Sequence, residues 1–373
     1  MHTQKVSQWV LCYIFLIPLS SLSVVFQLLL ILPVLSLYAF PAYRNVRMTP
    51  LAFWVVFGLI FCLAINFIRV GLSGVVVKQS NHFLQFIFLF PLFVQFFRGA
   101  IPDLLRISAK PRTLLFLALL AFLKMLANGL TGKVFLYHQF DPLMMALFIS
   151  ALLVFSKQSK LVGLTGILIF SVFILGITER MVYSYHLLCL FIFWAGFLRN
   201  FMVTLAGITI LVSIPIIAYL LPPDVIGLIY LMDPNTGIRI DFIRGALSLI
   251  SDNFITGIGF GTPYRDTGFN YYGDHGLLEG SSRILNVPNH NSIVDTVLRL
   301  GFPLAAMLFA LIFVKGPRKG FEPLWGFLVL SVCYGLSFDA WFEAQTELIT
   351  FLAALALIYT IQRVSLKKNI QVQ

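Results

Sequence analysis

Long apolar stretches separated by short polar clusters recur from one end of this chain to the other, and most have the length needed to cross a bilayer as a helix. Read this way, the pattern predicts about twelve spans, at roughly 8–21, 23–40, 50–69, 83–97, 113–131, 140–156, 161–178, 181–198, 201–221, 291–314, 323–341 and 344–362. Pro18 and Pro33 interrupt the first two, which equally fit one long tilted helix followed by a re-entrant piece. The rhythm breaks once, in a polar run from about 221 to 289. Inside it, apolar residues at 238, 242, 243, 246, 247, 249 and 250 keep helical spacing, with Arg239 and Asp241 read as lying on the other side. This predicts an amphipathic helix on the outer face of the bilayer. Asn253 and Gly257-Ile-Gly-Phe-Gly261 then predict tight turns, and a Tyr- and Gly-rich stretch leads to Asn289. A helix is expected from His290 through residue 312, with Asn289 as its N-cap.

Composition removes the soluble alternative. The 373 residues are 59% hydrophobic and 11% charged, and a water-soluble fold of this size cannot bury so much apolar surface. The expected fold is all-α: a polytopic transmembrane helical bundle, residues 1–373 forming one integral membrane domain with a single large outer loop at about 222–289. The first apolar run exceeds the apolar core of a signal peptide and lacks an Ala-x-Ala site, so it is expected to be an anchor. The net charge of +11 raises the question of a polyanionic partner, and its distribution answers it. With the N-terminus inside, most Lys and Arg residues fall in inner loops, as the positive-inside rule requires. Both termini are then cytoplasmic, the long loop faces outward, and no nucleic-acid partner is implied. Cys12, Cys62, Cys189 and Cys333 all sit in apolar segments without metal-ligand spacing, and no Gly-x4-Gly-Lys-Ser/Thr sequence supplies an ATPase.

Few residues remain to carry chemistry. His290, expected in the first turn of its helix, would be kept neutral by the helix dipole and could accept a proton. It could equally cap the helix or brace the loop. Asn291, Asp295 and Arg299 follow at intervals of four, and Asp295 with Arg299 reads as an ion pair that orients the helix. Arg180, at an outward turn with almost no loop, fits either a snorkelling anchor or a ligand for an anionic headgroup. Arg239, Arg244, Arg265 and Arg283 are the cations of the long loop; that all are Arg favours a phosphate-bearing partner. Tyr264, Phe269, Tyr271 and Tyr272 offer flat faces for sugars or for the interface. The early outward loops hold no paired carboxylates for a metal, and the spacing of Asp274, His275 and His290 is not diagnostic of one. Neither metal nor cofactor is expected.

Several of these pieces, in this order, resemble one family. His290-Asn291, nine residues and then Gly301 is similar to the His-Asn-x9-Gly signature of the O-antigen ligase and polymerase superfamily. Thr236-Gly237-Ile-Arg239 through Ala246-Leu247 resembles its Ser-Gly-Arg…Ala-Leu stretch. Asn253 through Gly261 resembles the following Pro-Leu-x-Gly-x-Gly turn, and Thr178-Glu-Arg180 the Ser-Arg ending a preceding span. Glu179, Thr256 and the Phe302-Pro303-Leu304 sequence depart from the family pattern. The resemblance covers roughly residues 161–314.

The resemblance implies a metal-independent inverting glycosyltransferase of the bacterial inner membrane, with its active site on the periplasmic face. The expected donor is a glycan on undecaprenyl pyrophosphate, and the expected acceptor a sugar hydroxyl of lipid A-core in lipopolysaccharide biosynthesis. His290, Arg180 and Arg239 are the expected catalytic residues; Arg244, Asn291, Tyr264, Tyr271 and Tyr272 are expected to bind substrate. A polymerase joining lipid-linked O-antigen or exopolysaccharide repeats would share the donor and differ in acceptor. A transporter or flippase is the remaining alternative. It calls for ionisable residues near the midplane of several spans, and only Lys124 reads as deep.

Overall fold

A computed structural model describes residues 49–71, 83–97, 201–260, 291–313, 322–338 and 348–362, with isolated positions 76, 80, 112, 119 and 262. Every regular element among them is an α-helix. In chain order these are α1 (Pro50–Val70), α2 (Phe83–Phe97), α3 (Phe201–Leu220), α4 (Pro223–Met232), α5 (Pro234–Asp252), α6 (Ser292–Leu300), α7 (Phe302–Phe313), α8 (Glu322–Phe338) and α9 (Leu348–Ile361). The spans expected at 8–21, 23–40, 113–131, 140–156, 161–178 and 181–198 lie outside the described residues.

Helix α1 begins where local chemistry says it should. The Thr49 hydroxyl accepts from the Ala52 amide and a proline fills the first helical position, where no N–H is needed. Ala52, Val55, Leu59, Leu63 and Asn66 recur every three or four residues and are buried. The opposite side is just as apolar, with Phe53, Trp54, Phe57, Ile60 and Phe61 exposed. A helix apolar all round belongs in lipid or a large core, and exposed aromatics at this density point to membrane association. Among the described residues, Pro50–Arg69 is long and apolar enough to cross a bilayer without a bend, and α3 reaches that measure together with α4, across the bend between them.

The helices interlock through small residues and a few directed bonds. Helix α2 turns a phenylalanine stripe inward, Phe83, Phe86, Phe90, Phe93 and Phe97, with Phe86 and Phe90 stacked at 4.9 Å. Phe90 meets the Tyr359 ring of α9 edge-on, and the Tyr359 hydroxyl donates to Thr49 at 2.6 Å. That bond ties the start of α1 to a residue 310 positions away. Helix α3 buries Thr204, Ile208, Leu211, Pro215 and Ala218 at the same helical spacing and packs chiefly on α8.

Within the stretch expected to be a polar loop holding one amphipathic helix, the described residues form two helices, α4 and α5. The chain leaves α3 at Pro222-Pro223 and turns through 108° into α4. Asp233 caps α5, which is longer at both ends than the expected amphipathic segment. Ile240, Ile243, Ala246 and Ile250 of α5 join Ala218, Ile226, Ile258, Val294 and Leu298 in one buried apolar cluster. The apolar face of α5 is thus occupied by α3, α4 and α6. It is a protein-packing face rather than one laid on the bilayer.

Candidate functional site

Helix α5 carries the two described loop arginines. Residues 239, 243, 246 and 250 fall at i, i+4, i+7 and i+11, one face of a helix. Arg239 therefore stands in register with the buried Ile243, Ala246 and Ile250, and it is half-buried with Nε inaccessible to solvent. This corrects the expectation that Arg239 lies opposite the apolar side. Arg244 is also half-buried. Asp241 is half-buried as well, and its carboxylate accepts from the Tyr230 hydroxyl of α4. Gly237 allows that approach, since a β-carbon there would stand 2.6 Å from the Tyr230 ring.

The expected helix from 290 to 312 is two helices, α6 and α7, broken at Gly301. Gly301 has φ +76°, and Pro303 has no N–H to offer the Arg299 carbonyl four residues back. The glycine turn after α5 takes over the bonds that the break frees. Ile258 N–H donates to the Leu298 carbonyl at 2.8 Å and Gly259 N–H to the Arg299 carbonyl at 3.2 Å. In return Phe302 N–H donates to the Phe254 carbonyl at 2.8 Å, and the two phenylalanine rings stack at 4.8 Å. The backbones touch. A β-carbon on Gly257, itself at φ +65°, would stand 2.5 Å from the Gly301 amide nitrogen, and one on Gly301 would strike the Ile255 carbonyl. Helices α5 and α6 pack on one another and both run toward this junction.

Arg299 fastens the turn from below. It is 1% exposed, and one guanidinium nitrogen donates to the carbonyls of Gly259 at 3.1 Å and Thr262 at 2.9 Å. Its Nε lies 3.9 Å from Asp295, so the expected pair does meet, one helical turn apart. The sequence showed that pair but not its purpose. A buried guanidinium is stable only with its charge compensated and its donors aimed at acceptors; Asp295 supplies the first, the glycine turn the second. The Asn66 amide of α1 adds a bond to the Phe260 carbonyl at 3.0 Å, and the Phe83 ring packs on Phe260. Asn66 is a contributor that sequence reading missed, because nothing local to α1 marks it.

The other end of α6 is equally fixed. Its N-cap is Asn291, not Asn289, so the helix starts at Ser292 and residue 290 precedes it. The Asn291 side-chain oxygen accepts from Val294 N–H at 2.9 Å, and its amide nitrogen donates to the Ser337 carbonyl at 2.8 Å. Both ends of this fully buried amide are engaged within the protein, so Asn291 positions the helix start and its side chain is not presented to a ligand. The Ser337 hydroxyl continues the chain to the Leu211 carbonyl of α3 at 2.8 Å. Three helices are pinned through one short polar path at the start of α6.

His290, Arg180, Tyr264, Phe269, Tyr271, Tyr272, Asp274, His275, Arg265 and Arg283 lie outside the described residues. Of the expected site, the structure brings together α5 with its arginines, the glycine turn, and the helix that follows His290. Compared with protein-family models and with curated proteins, the chain finds no match.

Proposed function

We propose that this chain is a polytopic inner-membrane protein of about twelve spans that transfers a glycan from undecaprenyl pyrophosphate to a sugar hydroxyl of lipid A-core. In this reading residues 222–289 face the periplasm and both termini face the cytoplasm. The observation that carries it is the shared bracing of α5 and α6. Two arginines and the segment following His290, far apart in sequence, are held in one framework by the glycine turn and Arg299. Rigid placement of charged groups on packed helices is what a transferase without covalent chemistry needs.

The reaction makes few demands. The acceptor hydroxyl attacks the anomeric carbon from the face opposite the leaving group, and the bond from that carbon to the pyrophosphate oxygen breaks with inversion. The hydroxyl proton passes to His290, and the electron pair leaves with the lipid pyrophosphate. Arg180 and Arg239 hold that anion; their planar forks match phosphate oxygens in pairs. Arg244 adds a further cation on α5. Asn291 fixes the start of α6 and so the direction from which His290 approaches. Tyr264, Tyr271 and Tyr272 supply faces against which sugar rings stack.

Deletion of the gene, followed by gel analysis of lipopolysaccharide, tests the assignment. The expected result is bare lipid A-core together with lipid-linked polymer that accumulates unused. Core bearing a single repeat would instead assign the chain as a polymerase. Unchanged lipopolysaccharide with altered distribution of a lipid-linked precursor across the membrane would assign a transporter.

A further inference from the structure

Helix α4 has a face that nothing among the described residues covers. Ile226 is buried and Ile229 and Tyr230 pack beside it, all toward α5. Val225, Leu228, Leu231 and Met232 recur on the other side at helical spacing, and Leu231 and Met232 are 85% and 86% exposed. The ten residues include one charged group, Asp224 in the first turn.

Where α4 starts decides what that face meets. Helix α3 has 20 residues, about 30 Å at 1.5 Å per residue, close to the thickness of a bilayer's hydrocarbon core, and its apolar run continues across the bend into α4. It exposes Ile210, Ile216, Ile217 and Leu220, as α4 exposes Leu228, Leu231 and Met232. A chain that has crossed the core along α3 stands at its boundary by Leu220. The 108° turn at Pro222-Pro223 then lays α4 along the boundary rather than beyond it. Ten residues, about 15 Å, are too short to cross back. The exposed side is apolar, as a helix face seated among acyl chains must be.

We infer that α4 lies in the plane of the membrane, with Val225, Leu228, Leu231 and Met232 inserted at the boundary between headgroups and acyl chains. The covered side of α4 carries α5, through the Gly237–Tyr230 approach and the Tyr230–Asp241 hydrogen bond. This seat holds Arg239 and Arg244 at headgroup depth, the level at which the phosphates of any membrane lipid lie. The inference rests on the membrane-spanning reading of α3 and not on which glycan is transferred.

Site-directed spin labelling of the full-length protein in phosphatidylcholine–phosphatidylglycerol nanodiscs tests it. Leu231→Cys on α4 and Ile210→Cys on α3 are labelled with a nitroxide after the native cysteines are replaced by alanine. Collision rates with oxygen, which partitions into lipid, and with a polar nickel chelate, which stays in water, are then compared. At residue 231 the oxygen rate should exceed the nickel rate several-fold, with a depth close to the lipid phosphate. Residue 210 should report a deep position near the bilayer centre. A label at residue 231 that collides freely with the nickel chelate, or is shielded from both reagents by a second protein copy, overturns the inference while leaving the spans intact. A label at residue 210 that meets water overturns the spanning reading of α3, and this inference with it.

Discussion

The Ser337 hydroxyl donates to the Leu211 carbonyl, a carbonyl without a helical donor because the residue four positions later is Pro215. The bond therefore repairs a proline defect inside α3 from a neighbouring helix. Ser337→Ala should cost about 1–3 kcal/mol, the penalty for a buried polar group left without a partner. Pro215→Ala restores an N–H at the right distance, so in that background Ser337→Ala should cost much less. Thermal unfolding of the four proteins of this cycle in detergent measures the coupling; strictly additive effects would mean the Ser337 bond is incidental.

Arg299 is the buried charge on which the glycine turn hangs. Arg299→Ala removes two carbonyl contacts and strands Asp295 in a dry site, so it should destabilise the protein by about 3–5 kcal/mol. Replacing both members together, Arg299→Met with Asp295→Leu, should be milder than Arg299→Ala alone, because no unpaired charge remains. Melting temperature and yield of monodisperse protein read this out. A double variant as damaged as the single one would show that the carbonyl contacts outweigh the charge.

The two glycines that let backbones touch should be irreplaceable. Gly257→Ala and Gly301→Ala each place a β-carbon against backbone atoms in a left-handed conformation, so neither can relax by moving a side chain. Each should prevent accumulation of folded protein. Gly227→Ala on α4 is the matched control, with nothing within 4 Å of the new atom. It should be neutral or stabilising by up to about 1 kcal/mol through helix propensity.

How far sequence reasoning reached depends on the range of the physics involved. The helices at 50–69, 83–97, 201–221, 323–341 and 344–362 follow from apolar length, and within their described residues each has a matching helix in the structure. The Asp295–Arg299 pair follows from helical periodicity and was found. The break at Gly301 was also legible, since Gly301-Phe-Pro303 is a stop followed by a residue without a donor, but continuous hydrophobicity across it masked the signal. The register of Arg239 was misread because half-burial of a charged residue depends on what α5 packs against. The roles of Asn66 and Ser337 were not legible at all. Each bonds a carbonyl more than a hundred residues away, which no local pattern encodes.

Transfer should continue in the presence of a chelator. The proposed mechanism assigns charge on the leaving pyrophosphate to Arg180 and Arg239, and so requires no divalent ion. In a membrane assay with lipid-linked donor, EDTA should leave the rate unchanged. Loss of transfer that Mg²⁺ or Mn²⁺ restores would move the function from the arginines to a metal, with Asp274 and His275 as its first candidates.

The sharpest expectation concerns Arg180, Arg239 and His290. Alanine at either arginine should lower transfer on the order of 10²–10³-fold, the usual loss when one electrostatic donor to a transition state is removed. Alanine at His290 should lower it on the order of 10²–10⁴-fold, the range for loss of a general base. Arg239 permits a finer test, because it stands in register with Ile243 and Ala246 rather than free on the surface. Arg239→Ala should therefore cost some stability as well, whereas Arg239→Lys keeps the charge and the aliphatic stem. If Arg239 binds phosphate in pairs of hydrogen bonds, Arg239→Lys should melt close to wild type yet transfer poorly. If it only packs, Arg239→Lys should restore stability and transfer together. Arg265→Ala and Arg283→Ala, at positions outside the resembling motifs, should transfer normally. Measuring melting temperature and transfer on the same membrane preparations separates the two roles, and normal transfer by Arg239→Lys would remove Arg239 from the mechanism.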